Sequence, residues 1–261
     1  MKKDLSCIID CMKLKNLEQL LNQTLRPEDF EAADVSLNGL QVGNRESEVH
    51  KACFAVDACM DSFEAASQAG SDVLVVHHGL FWGHPLAITG THYERVKFLM
   101  DHNLALYACH LPLDAHPVLG NNAQIASALG LKHVEPFAEY HGKMIGFKGI
   151  LPEPMPMEKV GEVLGFGQES YMIEFGRKLC RTVGIVSGSA ADDVSQAIDD
   201  GLDLFITGEI SHQVYHLCEE SHMNMLCLGH YNTETFGVKA LMEIVLKMGI
   251  ETAFVDVPTG L

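Results

Sequence analysis

The sequence predicts an α/β protein in which a βαβαβ unit occurs twice, as duplicated βαβαβ halves forming two packed, mostly parallel-sheet α/β domains. Three observations carry that expectation. Short apolar runs alternate with helical stretches along most of the 261-residue chain, the pattern of strands and helices laid in turn around a parallel sheet. Two clusters repeat the same order, with Gly70-Ser71-Asp72-Val73-Leu74 corresponding to Gly201-Leu202-Asp203-Leu204-Phe205. The third strand of each cluster runs directly into a histidine, at Cys109-His110 and at Gly229-His230.

In the first cluster, residues 52–57 form an apolar run closed by Asp57, which reads as a buried strand, and residues 61–69 as a helix. A strand over 72–77, a helix near 93–101 and a strand over 104–109 follow. The second cluster has a strand at 182–187, a helix over 192–199, a strand at 203–207, a helix near 212–220 and a strand over 225–228. Between the clusters, Pro152-Glu153-Pro154-Met155-Pro156 reads as a rigid turn or domain joint, because proline fixes φ and removes a backbone donor. The expected division is residues 1–128 plus 235–261 for one domain and 129–234 for the other.

Composition narrows the function. Lys and Arg total 18 against 35 Asp and Glu, a formal net charge of −17, which disfavours nucleic acid or an anionic membrane as partner. No apolar run has the length of a membrane span, and Asp4 and Asp10 interrupt the only stretch resembling a secretion signal. A cytoplasmic protein is expected. The eight cysteines lack any C-x-x-C pair and read as reduced core thiols. Histidine is enriched, with 14 copies.

Ligands bind at the carboxyl ends of strands in parallel sheets, and there the histidines gather. His77-His78-Gly79 follows the second strand, His110-Leu111-Pro112-Leu113-Asp114 the third, and Gly229-His230-Tyr231-Asn232-Thr233-Glu234 the third strand of the second half. Both third strands therefore end in His-x-x-x-carboxylate. Adjacent side chains on a strand point to opposite faces unless the backbone bends, as it can at Gly79. His77, His78, Asp114, His230 and Glu234 are together enough donors for two divalent ions per subunit. Nitrogen and oxygen donors without thiolate suit zinc, iron, manganese or nickel alike. Two ions held by so few groups would keep open positions and carry a shared water as hydroxide near neutral pH.

These segments resemble the NGG-one-interacting-factor-three-like family, whose bacterial members are labelled GTP cyclohydrolase I type 2 homologues. Further matches are Asn38-Gly39-Leu40-Gln41-Val42-Gly43, Gly120-Asn121-Asn122-Ala123, Thr207-Gly208-Glu209-Ile210-Ser211-His212 and Phe254-Val255-Asp256-Val257-Pro258. The resemblance runs in order from about residue 15 to the end and is to the short bacterial form. It implies a duplicated α/β fold, a toroidal homohexamer assembled as a trimer of dimers, and a dinuclear metal centre. It assigns His77, His78, Asp114, His230 and Glu234 as ligands, with Glu234 bridging. His110 then lies near the ions, orienting Asp114 or a water, and His110 and Glu234 are the expected proton-handling, catalytic groups.

The activity implied is a metal-dependent hydrolase opening the purine imidazole ring of GTP or acting on a related nucleotide or cyclic amide. Against a triphosphate substrate, the chain has no G-x-x-x-x-G-K-[ST] loop, and Arg95 and Lys97 are the only basic residues between His77 and Asp114. The alternative is a non-catalytic, metal-handling hexamer or interaction scaffold. Of the remaining features, Glu209, His212 and His216 read as surface or pore-lining groups that could also form a secondary metal patch. Asn38-Gly39 reads as a turn and Trp82 as a core residue, packing over the site mouth being the other reading.

Overall fold

The computed structural model describes residues 11–166 and 170–261; the N-terminal stretch through Asp10, with Cys7, lies outside the described residues. The chain forms two compact units, one of residues up to His110 with Val238–Val257, the other of Leu111–Gly237 with Pro258–Leu261. Residues 111–128, expected with the first half, thus belong to the second, where the helix at Asn121–Ala128 packs on a long strand of that unit.

The first unit opens with β1 (Met12–Lys13) and α1 (Leu14–Leu25). Leu14, Leu17, Leu21 and Leu25 form an apolar stripe at helical spacing and are all buried. Glu18 also sits on that side, and Arg45 neutralises it through two hydrogen bonds of 2.6 and 2.7 Å. Then come β2 (Gly39–Val42), β3 (Glu48–Val49), β4 (Lys51–Asp57), α2 (Met60–Gln68), β5 (Val73–His78), α3 (Gly90–Asp101) and β6 (Ala105–Ala108). β13 (Glu251–Phe254) returns late in the chain to the same sheet, whose order is β13-β4-β5-β6-β2. Its first four strands are parallel and β2 closes the edge antiparallel. Cys53, Leu74, Val76 and Leu106 from the sheet pack with Phe63 of α2 and Leu99 of α3. β1 and β3 form a separate antiparallel ladder.

The second unit contains α4 (Leu111–Asp114), α5 (Asn121–Ala128), β7 (Lys132–Tyr140), β8 (Lys143–Met155), α6 (Met157–Val163), β9 (Tyr171–Glu174), β10 (Cys180–Ile185), α7 (Val194–Asp199), β11 (Leu204–Thr207), α8 (Val214–Ser221) and β12 (Asn224–Cys227). α9 (His230–Lys247) starts here and ends in the first unit. The sheet order is β7-β8-β10-β11-β12-β9. Only β10, β11 and β12 are mutually parallel; the flanking pairs are antiparallel. This sheet is mixed, with the βαβαβ repeat at its centre.

The proline-rich segment corrects an expectation. Pro152 to Met155 are not a domain joint but the end of β8, and Pro156 precedes α6 as its N-cap. The sheet tolerates them because β7 pairs with β8 only as far as Ile150. The ladder to β10 also slips between Cys180 and Thr182. Missing donors there break little regular pairing. Among the described residues, no helix is long and apolar enough to cross a membrane.

Candidate metal centre

In the first unit, His77 and His78 are the last two residues of β5, and His110 follows β6 on the neighbouring strand. At the strand end the alternation is overcome: the rings of His77 and His78 lie 4.6 Å apart and His110 lies 5.1 and 5.6 Å from them. One donor atom from each imidazole falls within 4.8 Å of the others. Gly79, directly after the pair, leaves no room for a side chain: a Cβ there would stand 2.3 Å from the Gln41 amide, whose oxygen accepts the Leu80 N–H, and 2.6 Å from the Ala108 Cβ.

Each of these rings is held through Nδ1. His77 Nδ1 lies 3.0 Å from the Cys109 carbonyl, which can only accept, so Nδ1 carries the proton and Nε2 the lone pair. His78 Nδ1 bonds Asp57 at 2.8 Å, and His110 Nδ1 bonds Asp34 at 3.0 Å. An acceptor behind Nδ1 is the arrangement that fixes the tautomer of a metal-ligating histidine and aims Nε2.

Asp34 is the centre of a small network. Its carboxylate also accepts from Asn38 Nδ2 and the Ser36 N–H, both at 2.9 Å, while Asn38 Oδ1 takes the His110 N–H at 2.8 Å. Burial works to raise the Asp34 pKa, but the hydrogen bond and charge of His110, with help from Asn38 and Ser36, hold it below the ordinary carboxylate value. Asn38-Gly39 is not a turn: Asn38 stands just ahead of β2, which Gly39 opens, and from there it clamps His110. Trp82 is half-buried rather than a core residue. Its ring lies 5.0 Å from His110 and 6.0 Å from His78, and its Nε1–H donates to the Gly79 carbonyl. The backbone bridge from Ser36 to Trp82 keeps it there.

In the second unit, Asp114 ends α4 and is buried. Its Oδ1 accepts from Asn121 Nδ2 at 2.8 Å and Ser187 Oγ at 2.9 Å. Asn122 holds the Ser187 N–H and the Ile145 carbonyl, and Asn121 Oδ1 takes the Gly237 N–H. The Asn121-Asn122 pair therefore ties Asp114 to the strand end after β10 and to α9.

His230 and Glu234 are one turn apart on α9, with His230 Nε2 3.1 Å from Glu234 Oε1. Glu209 contacts the other ring nitrogen at 2.5 Å and is itself held by Ser189 Oγ. Burial opposes charging His230, but the hydrogen bonds and charges of Glu234 and then Glu209 outweigh it and push its pKa up to about 9. Of the expected secondary patch, Glu209 serves His230, whereas His216 pairs with Glu219 on α8. Gly188, at φ 69°, lets the chain pass Glu234: a Cβ there would lie 2.4 Å from Oε1.

This chemistry fits a divalent cation. Buried Asp114 and Glu234 present carboxylate oxygens within 4.8 Å of each other, and two ionised carboxylates that close repel unless a cation relieves them. Within the first unit three imidazoles have Nδ1 anchored; within the second, the carboxylates stand with one carboxylate-backed imidazole. These are His, Asp and Glu groups able to bind metal.

A sequence profile of the Duf34/NIF3 (NGG1p interacting factor 3) family matches residues 12–259. The chain belongs to that family. The GTP cyclohydrolase 1 type 2 homolog of Archaeoglobus fulgidus is 46% identical over 251 residues, covering 96% of this chain and 100% of the relative. The homolog from Pyrococcus abyssi is 43% identical over 234 residues, with 87% of this chain and 92% of the relative covered. Among solved structures, TTHA1606 from Thermus thermophilus gives a TM-score of 0.87 at 41% identity, over 96% of this chain and 100% of that one. Reduced HcgD from Methanocaldococcus jannaschii gives 0.83 at 25% identity, over 95% and 99%. These Duf34/NIF3 relationships span both units.

Proposed function

We propose that the chain is a dinuclear metalloprotein and a metal-dependent hydrolase, in which His77, His78, Asp114, His230 and Glu234 would hold the ions. The observation that carries this reading is the anchoring of the candidate imidazoles. His77, His78 and His230 each have a carbonyl or carboxylate on Nδ1, an arrangement that a solvated histidine does not need and a ligand uses. Divalent ions in such a set supply Lewis acidity and a water of lowered pKa.

The chain's own residues supply the proton path. Asp34 keeps the His110 proton on Nδ1, so Nε2 is the nitrogen that takes a proton from water and returns it to a leaving group. Asn38 fixes the backbone of His110, and the Trp82 ring restricts its rotation. Glu234 is the second proton-handling carboxylate. The relatives' names as GTP cyclohydrolase 1 type 2 homologs support a purine nucleotide as first candidate substrate. Water would add to the imidazole carbon of the base, the ring C–N bond would break, and the nitrogen would take the proton held by His110.

Metal content by mass spectrometry, on protein purified without chelator or affinity-tag metal, tests the centre. The parent is expected to carry close to two ions per subunit at this centre and Glu234→Ala to lose them; an unchanged content overturns the ligand set. Turnover of GTP by the loaded parent, lost in His110→Ala with metal retained, tests the hydrolase. The −17 net charge favours a second reading, metal handling without turnover, because an acidic surface repels a polyanion. That reading predicts readily exchanged ions and no effect of His110→Ala. The family resemblance also supports a homohexamer, which light scattering would register as about six times the subunit mass.

A further inference from the structure

A second set of metal-type donors lies away from the histidine cluster, on the β1–β3 ladder. Its register pairs Met12 with Val49 and Lys13 with Glu48, which places Cys11 opposite His50. Alternation then puts Cys11, His50 and Glu48 on one face of the ladder, with buried Val49 on the other. The structure agrees: one donor atom each from Cys11, Glu48 and His50 falls within 4.8 Å of the others.

The surroundings suit a cation. Lys13 shares this face, but its ammonium reaches the Glu46 carbonyl and Lys15 pairs with the Glu46 carboxylate, so both nearby lysines are engaged there rather than at Glu48. Asp72 takes the His50 N–H at 2.7 Å and stands 3.6 Å from its Nδ1. At 3.6 Å that carboxylate makes no hydrogen bond to the ring, but its negative charge adds to that of Glu48 in favouring a cation there. Cys11 and Glu48 also line an open groove with Asn16, Gln19, Gln23 and Met248, giving an ion a route in.

We propose that Cys11, Glu48 and His50 form a further metal site, separate from the histidine cluster and selective for zinc-type ions. One thiolate, one imidazole and one carboxylate are a borderline-soft set that matches zinc rather than magnesium or calcium. Three protein ligands leave a fourth position to water. Because Glu48 and His50 are exposed, the ion exchanges with solvent instead of serving as a structural staple.

The thiolate gives the site its own signal, since His77, His78, Asp114, His230 and Glu234 contain no sulfur. The full chain, stripped of metal and reduced, is titrated with cobalt(II) and the near-ultraviolet thiolate-to-cobalt band is followed. The band is expected in the parent and in Glu234→Ala, absent in Cys11→Ser, and shifted to at least about 10-fold higher cobalt in His50→Ala and Glu48→Gln. In parallel, zinc should slow alkylation of Cys11 in the parent, read by peptide mass, without relying on any variant's folding. Absence of the band, its survival in Cys11→Ser, its indifference to both His50→Ala and Glu48→Gln, or unslowed alkylation overturns the site. Loss of metal at Glu234 leaves this proposal standing, and loss of the thiolate band leaves the hydrolase reading standing.

Discussion

At the scale of single residues, the carboxylates behind the histidines are what turn a cluster into a candidate centre, and they are the part the sequence hides. Asp34 reaches His110 across 76 positions, and Asp57 and Glu209 each reach their histidine across 21. No spacing rule connects residues so far apart. His77, His78, His110 and His230 are legible because strand ends gather ligands; their partners need the folded sheet. Glu209→Gln removes a negative charge from His230 Nδ1 and is expected to weaken metal retention about 10–100-fold, measured by competition with a chelator. Unchanged affinity would show that Glu209 only decorates the surface. Asp34→Asn is expected to cost about 2 kcal/mol at neutral pH, the scale of a buried hydrogen bond to a charged group. The sign follows from the lowered Asp34 pKa. Stability from this carboxylate is present above its unfolded value near pH 4 and is lost as pH falls through the lower folded value. Denaturant unfolding of parent and variant should therefore converge in acid; a gap that stays constant would count against the Asp34–His110 pair.

At the scale of elements, the interior strands announce themselves and the flanking ones do not. β4, β5, β6, β10, β11 and β12 are buried along most of their length and so read as apolar runs. β7 is mostly exposed and β9 is an edge strand, so neither has a strong pattern. β8 ends in prolines that argue for a turn until its missing partner on that side is known. Glycines carry a separate element-level message. Gly201 and Gly188 both have positive φ, 64° and 69°, but a Cβ at Gly201 meets nothing within 4 Å while one at Gly188 meets Glu234. Gly201→Ala is expected to cost only the left-handed backbone strain, about 1–2 kcal/mol. Gly188→Ala should add loss of bound metal. Equal metal content in the two variants would mean that Glu234 tolerates displacement and is not a ligand.

At the scale of the whole molecule, the cysteines test how completely the cores close. Cys53, Cys109, Cys180, Cys218 and Cys227 are buried, while Cys11 and Cys59 are half-buried. Burial pushes Cys218 up to about 11 and Cys227 up to about 12, and a protonated, enclosed thiol does not react. Among the described residues, metal-free native protein should alkylate at Cys11 and Cys59 alone, with the other five reacting only in denaturant. Early modification of Cys227 would place β12 nearer solvent than the structure does. The expectation of reduced core thiols drawn from the scattered spacing holds for those five.

The last strand has a consequence for how the protein is made. β13 pairs with Lys51–Phe54 from a position about 200 residues later. During synthesis at about 5–20 residues per second, β4 therefore waits many seconds with one backbone row unpaired, beside side chains as apolar as Phe54 and Cys53. An unsatisfied edge of this kind templates pairing with other chains. A chain released before residue 251 should aggregate rather than remain as a folded first unit, because that edge stays open until the ribosome delivers β13.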